Sequence, residues 1–451
     1  MSELKRTILY QAHLDAGATM VDFGGWDMPI QYPEGIIAEH LYCRRHCGIF
    51  DVSHMGRIDV EGPDQVAFLQ HVLSSNVLAL DLNQAQYCII PDANGYAIDD
   101  AYLYRFEEGK YFLVINAGNI DKDWAHLMNE AKNFDVKLTN VSDKYAAIAV
   151  QGPESKKILM TLSGGRQLTP ENVKNALNSL TMEGKPVRIA KTGYTGEPIG
   201  YELYCNSEDA RYFWDRLIEL GAKPTALGAR DTTRMEAALP LYGHEMGECE
   251  MGGEIQIYAV PLAKFAVSFD EAKGDFIGRE PLKKQFEALK KIMNRDYSSI
   301  EDLPYRIQPI YLEGKGVLRK GFPIYCKDAW AEGKQIGYVT SGTMIPYYKT
   351  EGQGLESVFT DETGKRSIGL AYMDSRICQD FDIEIDIRGR RQPAKVVGYH
   401  IRQDAAPYVR PILPDVKIET AAPSTDSYPE KMKNLVAAAK QNHLWRQTEC
   451  I

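Results

Sequence analysis

No window of the 451-residue chain approaches 18 uninterrupted apolar residues, and the start Met1 to Arg6 runs into a stretch broken by Gln11, His13 and Asp15. Neither a membrane-spanning helix nor the apolar core of an export signal is there, so the expected location is the cytoplasm and no membrane partner is expected. Basic residues are outnumbered, 52 Lys and Arg against 62 Asp and Glu, for a formal charge of -10, and no Lys/Arg-rich run stands out. A global basic field for phosphate backbones is missing, which argues against nucleic acid as a partner. The 8 cysteines, at 43, 47, 88, 205, 249, 326, 378 and 450, are too sparse and irregular for a secreted disulfide scaffold and read as reduced thiols. CxxC and HExxH pairs are absent as well. The nearest approach to a metal cluster is His40, Cys43, His46 and Cys47, with His54 further on; at helical spacing it reads as a helix burying two thiols beside surface histidines, and no metal is expected.

With 44% hydrophobic residues the chain can bury two or three cores. Pro33 to Phe50 reads as a helix ended by Gly48, followed by a strand at Arg57 to Val60 and a helix at Gln65 to Leu73 that Asp64 can cap. Strands are expected at Gln86 to Ile90, Ala101 to Phe106 and Tyr111 to Asn116, then a helix at Asp121 to Ala131. A similar order recurs: strand Tyr145 to Val150, helix Glu154 to Leu162, strands Pro186 to Ala190 and Tyr201 to Cys205, helix Glu208 to Leu220. Two α+β units of comparable build follow. From Tyr305 short apolar runs alternate with glycine turns, as in a small β-barrel or sandwich. Pro411 to Pro429 has a linker composition, and a helix is expected from there to Ile451.

Three segments could carry chemistry. Asp99 and Asp100 follow the turn at Gly95, where adjacent carboxylates repel and disfavour a strand. In a strand they would face opposite sides, one solvated and one entering a cleft, although a turn cap beside an exposed acid is the simpler reading. Thr192 to Glu202 is a glycine-rich hairpin with Tyr194, Tyr201, Glu197 and Glu202; it fits neither GxGxxG nor GxxxxGK[ST]. Aromatics beside an acid suit a flat heterocycle offering N–H donors, and equally an ordinary hairpin. Around Gly228, Arg230, Asp231, Arg234 and Glu236 form either an intrahelical ion-pair ladder or, through an arginine fork, a carboxylate site.

These segments occur in the order and approximate spacing of the aminomethyltransferase family, the T-proteins of the glycine cleavage system. The resemblance starts at Gly25-Trp26-Asp-Met28-Pro29, continues through Phe50-Asp-Val-Ser-His54-Met55-Gly56, Ile98-Asp99-Asp100, Val114-Ile-Asn116-Ala117, Tyr194-Thr-Gly-Glu197 and Gly228-Ala-Arg230-Asp231, and extends over residues 7 to 410. It implies an α+β fold: a three-domain cloverleaf of two α+β, ferredoxin-like units and a C-terminal β-barrel around a central folate pocket. The implied domains are residues 1–52 with 148–248, 53–147 with 249–300, and 301–410, leaving 411–451 as linker and terminal helix. By the same resemblance Asp100 is the catalytic carboxylate, Tyr87 lies along the folate, Glu202 grips the pterin, Arg230 closes the pocket, and Tyr194, Asn116 and Met55 belong to its wall. The implied reaction moves the methylene of an aminomethyl-lipoyl carrier, the lipoylated H-protein, to tetrahydrofolate as co-substrate, releasing ammonia and forming 5,10-methylenetetrahydrofolate.

The spacing Pro198-Ile-Gly200 adds a residue to the family's hairpin, which leaves Glu197 and Glu202 as alternatives for the pterin. The region Glu248 to Gly253 and the stretch from about Phe286 to Arg306 are longer than usual and bear on carrier docking. The same fold also serves tetrahydrofolate-dependent demethylases and non-catalytic folate-binding proteins. The end, Asn434 to Ile451, resembles the opening helix of serine hydroxymethyltransferases, which makes such an enzyme, fused or associated, a candidate partner and the chain a candidate fragment of a fusion; an ordinary amphipathic tail helix is the alternative.

Overall fold

A computed structural model describes residues 3–171, 173–327, 331–352, 354–403 and 406–413; most of the expected linker and the terminal helix, 414–451, lie outside the described residues. Two antiparallel sheets share one chain path. In the first, strand Gly56–Glu61 leads through helix Gln65–Val72 to strands Gln84–Pro91, Ala97–Glu107 and Lys110–Ile115, then through helix Ile120–Glu130 to strand Lys137–Asn140. The same β-α-β-β-β-α-β path recurs over Tyr145–Gln151, Ser155–Leu162, Leu177–Met182, Lys185–Ala190, Gly200–Asn206, Ala210–Glu219 and Lys223–Pro224. In both, the first strand lies beside the fourth. The second sheet differs in one respect: strand Gly48–Asp51 inserts between Tyr145–Gln151 and Lys223–Pro224, antiparallel to one and parallel to the other. A closed six-stranded barrel follows, running in spatial order Tyr305–Leu312, Val358–Asp374, Gln335–Glu351, Pro323–Cys326, Asp382–Asp386, Arg391–Val396. Its interior is filled by alternate residues such as Ile310 and Leu312, Ile383 and Ile385, Ala394 and Val396.

Strand alternation sorts the cores. Leu103, Leu113 and Ile115 face helices Gln65–Val72 and Ile120–Glu130, while Ile148, Val150 and Leu203 face the helices carrying Leu159, Phe213 and Trp214. The opposite faces of the two sheets meet each other. Phe112 crosses Tyr204 edge-on at 5.3 Å between ring centres, and Tyr104 crosses Tyr204 at 5.7 Å.

Several local expectations change. The helix expected over Pro33 to Phe50 spans only Gly35–Arg45, because Gly48–Asp51 pairs as a strand with Tyr145–Gln151. Gly48 is there for closeness: a Cβ on it would lie 2.7 Å from Thr225 Oγ1. Asp64 makes no side-chain cap to its helix; its Oδ2 accepts from the Asp135 N–H at 2.8 Å, tying helix to strand. Cys43 and Cys47 are buried as expected, but His40 is buried too, at 2.8 Å from Thr232 Oγ1, and so is His54. Arg234 does pair with Asp231, whereas Glu236 leaves the ladder for Arg44 and Arg366.

That last contact joins the parts. Glu236 Oε2 accepts from Arg44 Nε at 3.0 Å and Oε1 from Arg366 Nη2 at 2.7 Å, with His40 Nε2 3.3 Å away. Helix Leu227–Glu236 is thereby tied to helix Gly35–Arg45 and to barrel strand Val358–Asp374. Glu236→Ala would strand two buried guanidinium groups, and a loss of about 3–5 kcal/mol in urea unfolding is expected.

Candidate active site

A cavity of about 1090 Å³ opens where the sheets, the barrel and hairpin Thr19–Phe23/Trp26–Gln31 meet; its lining includes Phe23, Tyr102, Asp100, Arg230 and the barrel residues Arg319, Thr343 and Met344. Strand Ala97–Glu107 supplies one wall by alternation. Asp100, Tyr102 and Tyr104 point into it, while Asp99, Ala101 and Leu103 lie on the helix side. The aspartates therefore stand inside a strand, not at the turn expected before Ala101, and neither is an exposed cap. Asp99 is completely buried.

The Asp100 carboxylate is held at both oxygens: Tyr87 OH donates to Oδ2 at 3.0 Å and Asn116 Nδ2 to Oδ1 at 2.8 Å. Enclosure by protein, aided by the neighbouring Asp99 charge, pushes its pKa up to about 7, against the pull of the two donors. Asn116 also donates its backbone N–H and Nδ2 to Asp99, at 2.9 and 2.8 Å.

Glu202 sits on strand Gly200–Asn206, whose far end carries Tyr204 into the contact between sheets. Its Oε2 accepts from Thr192 Oγ1 at 2.5 Å and Tyr104 OH at 2.8 Å, with Tyr204 OH 3.4 Å away, so the carboxylate is fixed before any ligand arrives. Glu197, the alternative, has its carboxylate buried against Arg44 at 2.6 Å and is not part of the cavity wall. Tyr194 is positioned by a hydrogen bond from its OH to the Pro240 carbonyl at 2.6 Å.

The glycine hairpin is organised from below by buried Gln151. Its Nε2 donates to the carbonyls of Thr192 and Tyr201, and its Oε1 accepts from Thr195 Oγ1. A Cβ on Gly193 would sit 2.1 Å and one on Gly200 2.4 Å from that amide, so both positions need glycine. Gly228 plays the equivalent part for Arg230: a Cβ there would lie 2.5 Å from Ile36 Cδ1. Arg230 reaches the cavity with Nη1 buried and without a hydrogen-bond partner among the described residues. An unpaired buried donor of this kind is costly unless a ligand accepts from it.

Asp100, Tyr87, Tyr194, Glu202, Arg230, Asn116 and Met55 thus all line one cavity. Sequence reasoning missed Tyr102 and Tyr104, although their two-residue spacing from Asp100 was the signal. It also missed Gln151, whose partners lie 41 and 50 residues away, and His54 as a wall residue, kept neutral by burial that pushes it down to about 3. Among the described residues no group of three His, Cys, Asp or Glu side chains could hold a metal ion, and no helix is long and apolar enough to cross a membrane.

The model of the GCVT N-terminal domain family matches residues 9–258. Aminomethyltransferases of Deinococcus deserti and Thermus thermophilus are 39% and 38% identical to the chain over 87% of its length, and 95% and 97% of theirs. The chain belongs to the aminomethyltransferase family. The crystal structure of the glycine cleavage system aminomethyltransferase T from Bartonella henselae is similar in fold, with a TM-score of 0.69 and 27% identity over 87% of this chain and 96% of that one. The α+β architecture with its terminal barrel is the one that family membership implies.

A carboxyl whose folded-state pKa is raised stabilises the fold below its unfolded value, near 3.9, and that contribution is lost as pH rises through the folded value. Asp100→Asn removes the penalty. The unliganded variant should match the parent near pH 4 and exceed it by about 4 kcal/mol above pH 7 in urea unfolding.

Proposed function

We propose that the chain transfers the methylene of an aminomethyl-lipoyl group, carried by a lipoylated H-protein, to tetrahydrofolate, forming 5,10-methylenetetrahydrofolate and ammonia, with Asp100 as its catalytic carboxylate. The observation that carries this reading is Asp100 itself: a carboxyl on a cavity wall, fixed at both oxygens and titrating near neutrality. The cavity suits the co-substrate. A pterin offers N–H donors in a plane, which Glu202 can accept while Tyr194 or Tyr102 covers the ring, and the unpaired Nη1 of Arg230 calls for an acceptor.

Tetrahydrofolate supplies the nucleophilic nitrogens. Asp100 then orients the attacking amine through whichever carboxylate lone pairs Tyr87 and Asn116 leave, and its negative form stabilises positive charge developing at the transferred carbon. With a pKa near 7 the same oxygen can take, in turn, the protons that the two folate nitrogens shed and return them to the departing groups, ammonia as the C–N bond breaks and the lipoyl thiolate as the C–S bond breaks. Tyr87 and Asn116 prevent the carboxylate from rotating out of line.

The domain division proposed with this function is 1–52 with 148–248, 53–147 with 249–300, and 301–410; the two sheets and the barrel support it. A serine hydroxymethyltransferase, which the terminal stretch resembles, is the proposed consumer of the methylenetetrahydrofolate.

Ammonia release and methylenetetrahydrofolate formation from aminomethyl-lipoyl H-protein, with and without tetrahydrofolate, test the reaction. Asp100→Asn should bind tetrahydrofolate within about threefold of the parent and lose at least about 100-fold in turnover. Unchanged turnover would remove Asp100 from the mechanism. Glu202→Gln should instead weaken folate binding about tenfold, the value of one charge-assisted hydrogen bond, with a smaller effect on turnover of the saturated enzyme.

A further inference from the structure

Behind Asp100, on the helix side of its strand, lie two more carboxylates that the mechanism does not use. Asp99 and Asp123 are both completely buried. Their surroundings differ sharply. Asp99 accepts from the Asn116 N–H at 2.9 Å, Asn116 Nδ2 at 2.8 Å and Asn119 Nδ2 at 2.6 Å, a set of amide donors that stabilises an anion. Asp123, in the first turn of helix Ile120–Glu130, has no donor to either oxygen among the described residues.

An ionised carboxylate in that position would cost several kcal/mol, far more than the 0.3–1 kcal/mol or so that a helix N-terminus returns. The neighbouring cation, Lys122, spends its Nζ on the Ile98 carbonyl at 2.6 Å and Tyr242 OH at 2.8 Å. Burial first and the Asp99 charge second hold the Asp123 pKa well above the usual carboxylate range, and an Asp123 that keeps its proton has Asp99 as the neighbouring acceptor to donate it to.

We propose that Asp99 and Asp123 share one proton, and that the single negative charge trapped on the pair acts as a positioning charge that decides when Asp100 gives up its own proton. Asn116 is the physical link. Its one amide group lies 2.8 Å from Asp99 Oδ1 and 2.8 Å from Asp100 Oδ1, so it orients both carboxylates without neutralising either. The cavity wall also carries charge at Glu202, Arg230, Asp231, Arg234 and Arg319, and the groups beside Asp100 add none. Tyr87 and Cys88 on the adjacent strand, Tyr102 on its own, and Tyr194 and Tyr242 from beyond the sheet are all pushed up by burial and stay neutral. On the reading of the reaction given above, a cationic aminomethyl group entering the cavity offsets the trapped charge and releases the Asp100 proton as the reacting groups meet.

The stability gained by Asp100→Asn, followed against pH in the unliganded protein, reports the Asp100 titration without any turnover. In an Asp99→Asn background its midpoint should fall by at least about one pH unit, a tenfold change in proton affinity. In an Asp123→Asn background it should stay within about half a unit, because the amide replaces a neutral donor. A midpoint unmoved by Asp99→Asn, or moved by Asp123→Asn, overturns the proposal. Should Asp99→Asn fail to fold, the infrared spectrum at about pH 8 decides, where Asp100 itself is ionised. A neutral-carboxyl band that vanishes in Asp123→Asn supports the shared proton, and its absence from the parent protein overturns it. None of these readouts needs substrate, so a failure of methylene transfer would be a separate result.

Discussion

Everything in this molecule hangs on a buried carboxylate caught between two guanidinium groups. Glu236 ends the helix that carries Arg230, and its partners come from 192 residues before it and 130 after it. Arg44 extends the network: its Nη1 also holds Glu197 and the Thr195 carbonyl, at 2.6 and 2.8 Å. One cluster of charges thus sets the position of the glycine hairpin, the Arg230 helix and the barrel relative to one another. Such a cluster adds little net stability compared with a well-packed apolar contact, because desolvation offsets most of the Coulomb attraction. What it adds is registry, since the two arginines and two glutamates meet only when the hairpin, the helix and the barrel strand come together in this arrangement's contacts: Arg44 with Glu236 and Glu197, and Arg366 with Glu236. A cavity shared by three parts of a chain needs that registry more than it needs another kcal/mol.

The second constraint is the contact between sheets. Tyr104 and Tyr204 belong to this aromatic layer, yet both hydroxyls also reach Glu202, and Tyr204 OH donates to Tyr104 OH at 3.1 Å. Core packing and the positioning of Glu202 in the cavity wall therefore use the same side chains. The rings are locked by Phe106 and Phe112, so Glu202 is presented by a rigid surface although its own hairpin is rich in glycine. A carboxylate positioned in this way loses little entropy when a heterocycle binds.

How much of this could be read in advance follows from distance along the chain. The two α+β units were legible because their helices are amphipathic, as in Ala210–Glu219, and their strands are short apolar runs bounded by turns, as in Tyr145–Gln151. Asp99 and Asp100 were legible as a local conflict, two acids where a strand was due. Strand Gly48–Asp51 was not, because Cys47, Ile49 and Phe50 extend the apolar spacing of the preceding helix and only pairing with Tyr145–Gln151 overrides it. Glu39 was silent for the same reason. It joins the Tyr32 N–H at 2.6 Å to the Ala226 N–H at 2.8 Å, 187 residues on, and looks like any other glutamate in a helix. The last domain was legible as a small barrel or sandwich from short apolar runs separated by glycine turns, although whether the strands closed could be decided only by the pairing of Tyr305–Leu312 with Arg391–Val396.

The acidic cluster shows why local conflict marks function here. A strand carrying Val or Ile in place of Asp99 and Asp100 would pack better, and helix Ile120–Glu130 would lose nothing by an apolar residue at 123. The chain instead buries three carboxyl groups around one asparagine. Each is tolerable for a different reason: Asp99 because amides solvate its charge, Asp123 because it stays neutral, and Asp100 because it faces a cavity where a ligand can complete its bonding. These conditions depend on one another, since an ionised Asp123 would repel Asp99, and a neutral Asp99 would leave burial alone to hold Asp100 above ordinary acidity. The strain is thus confined to one carboxyl, and it is the one that faces the cavity.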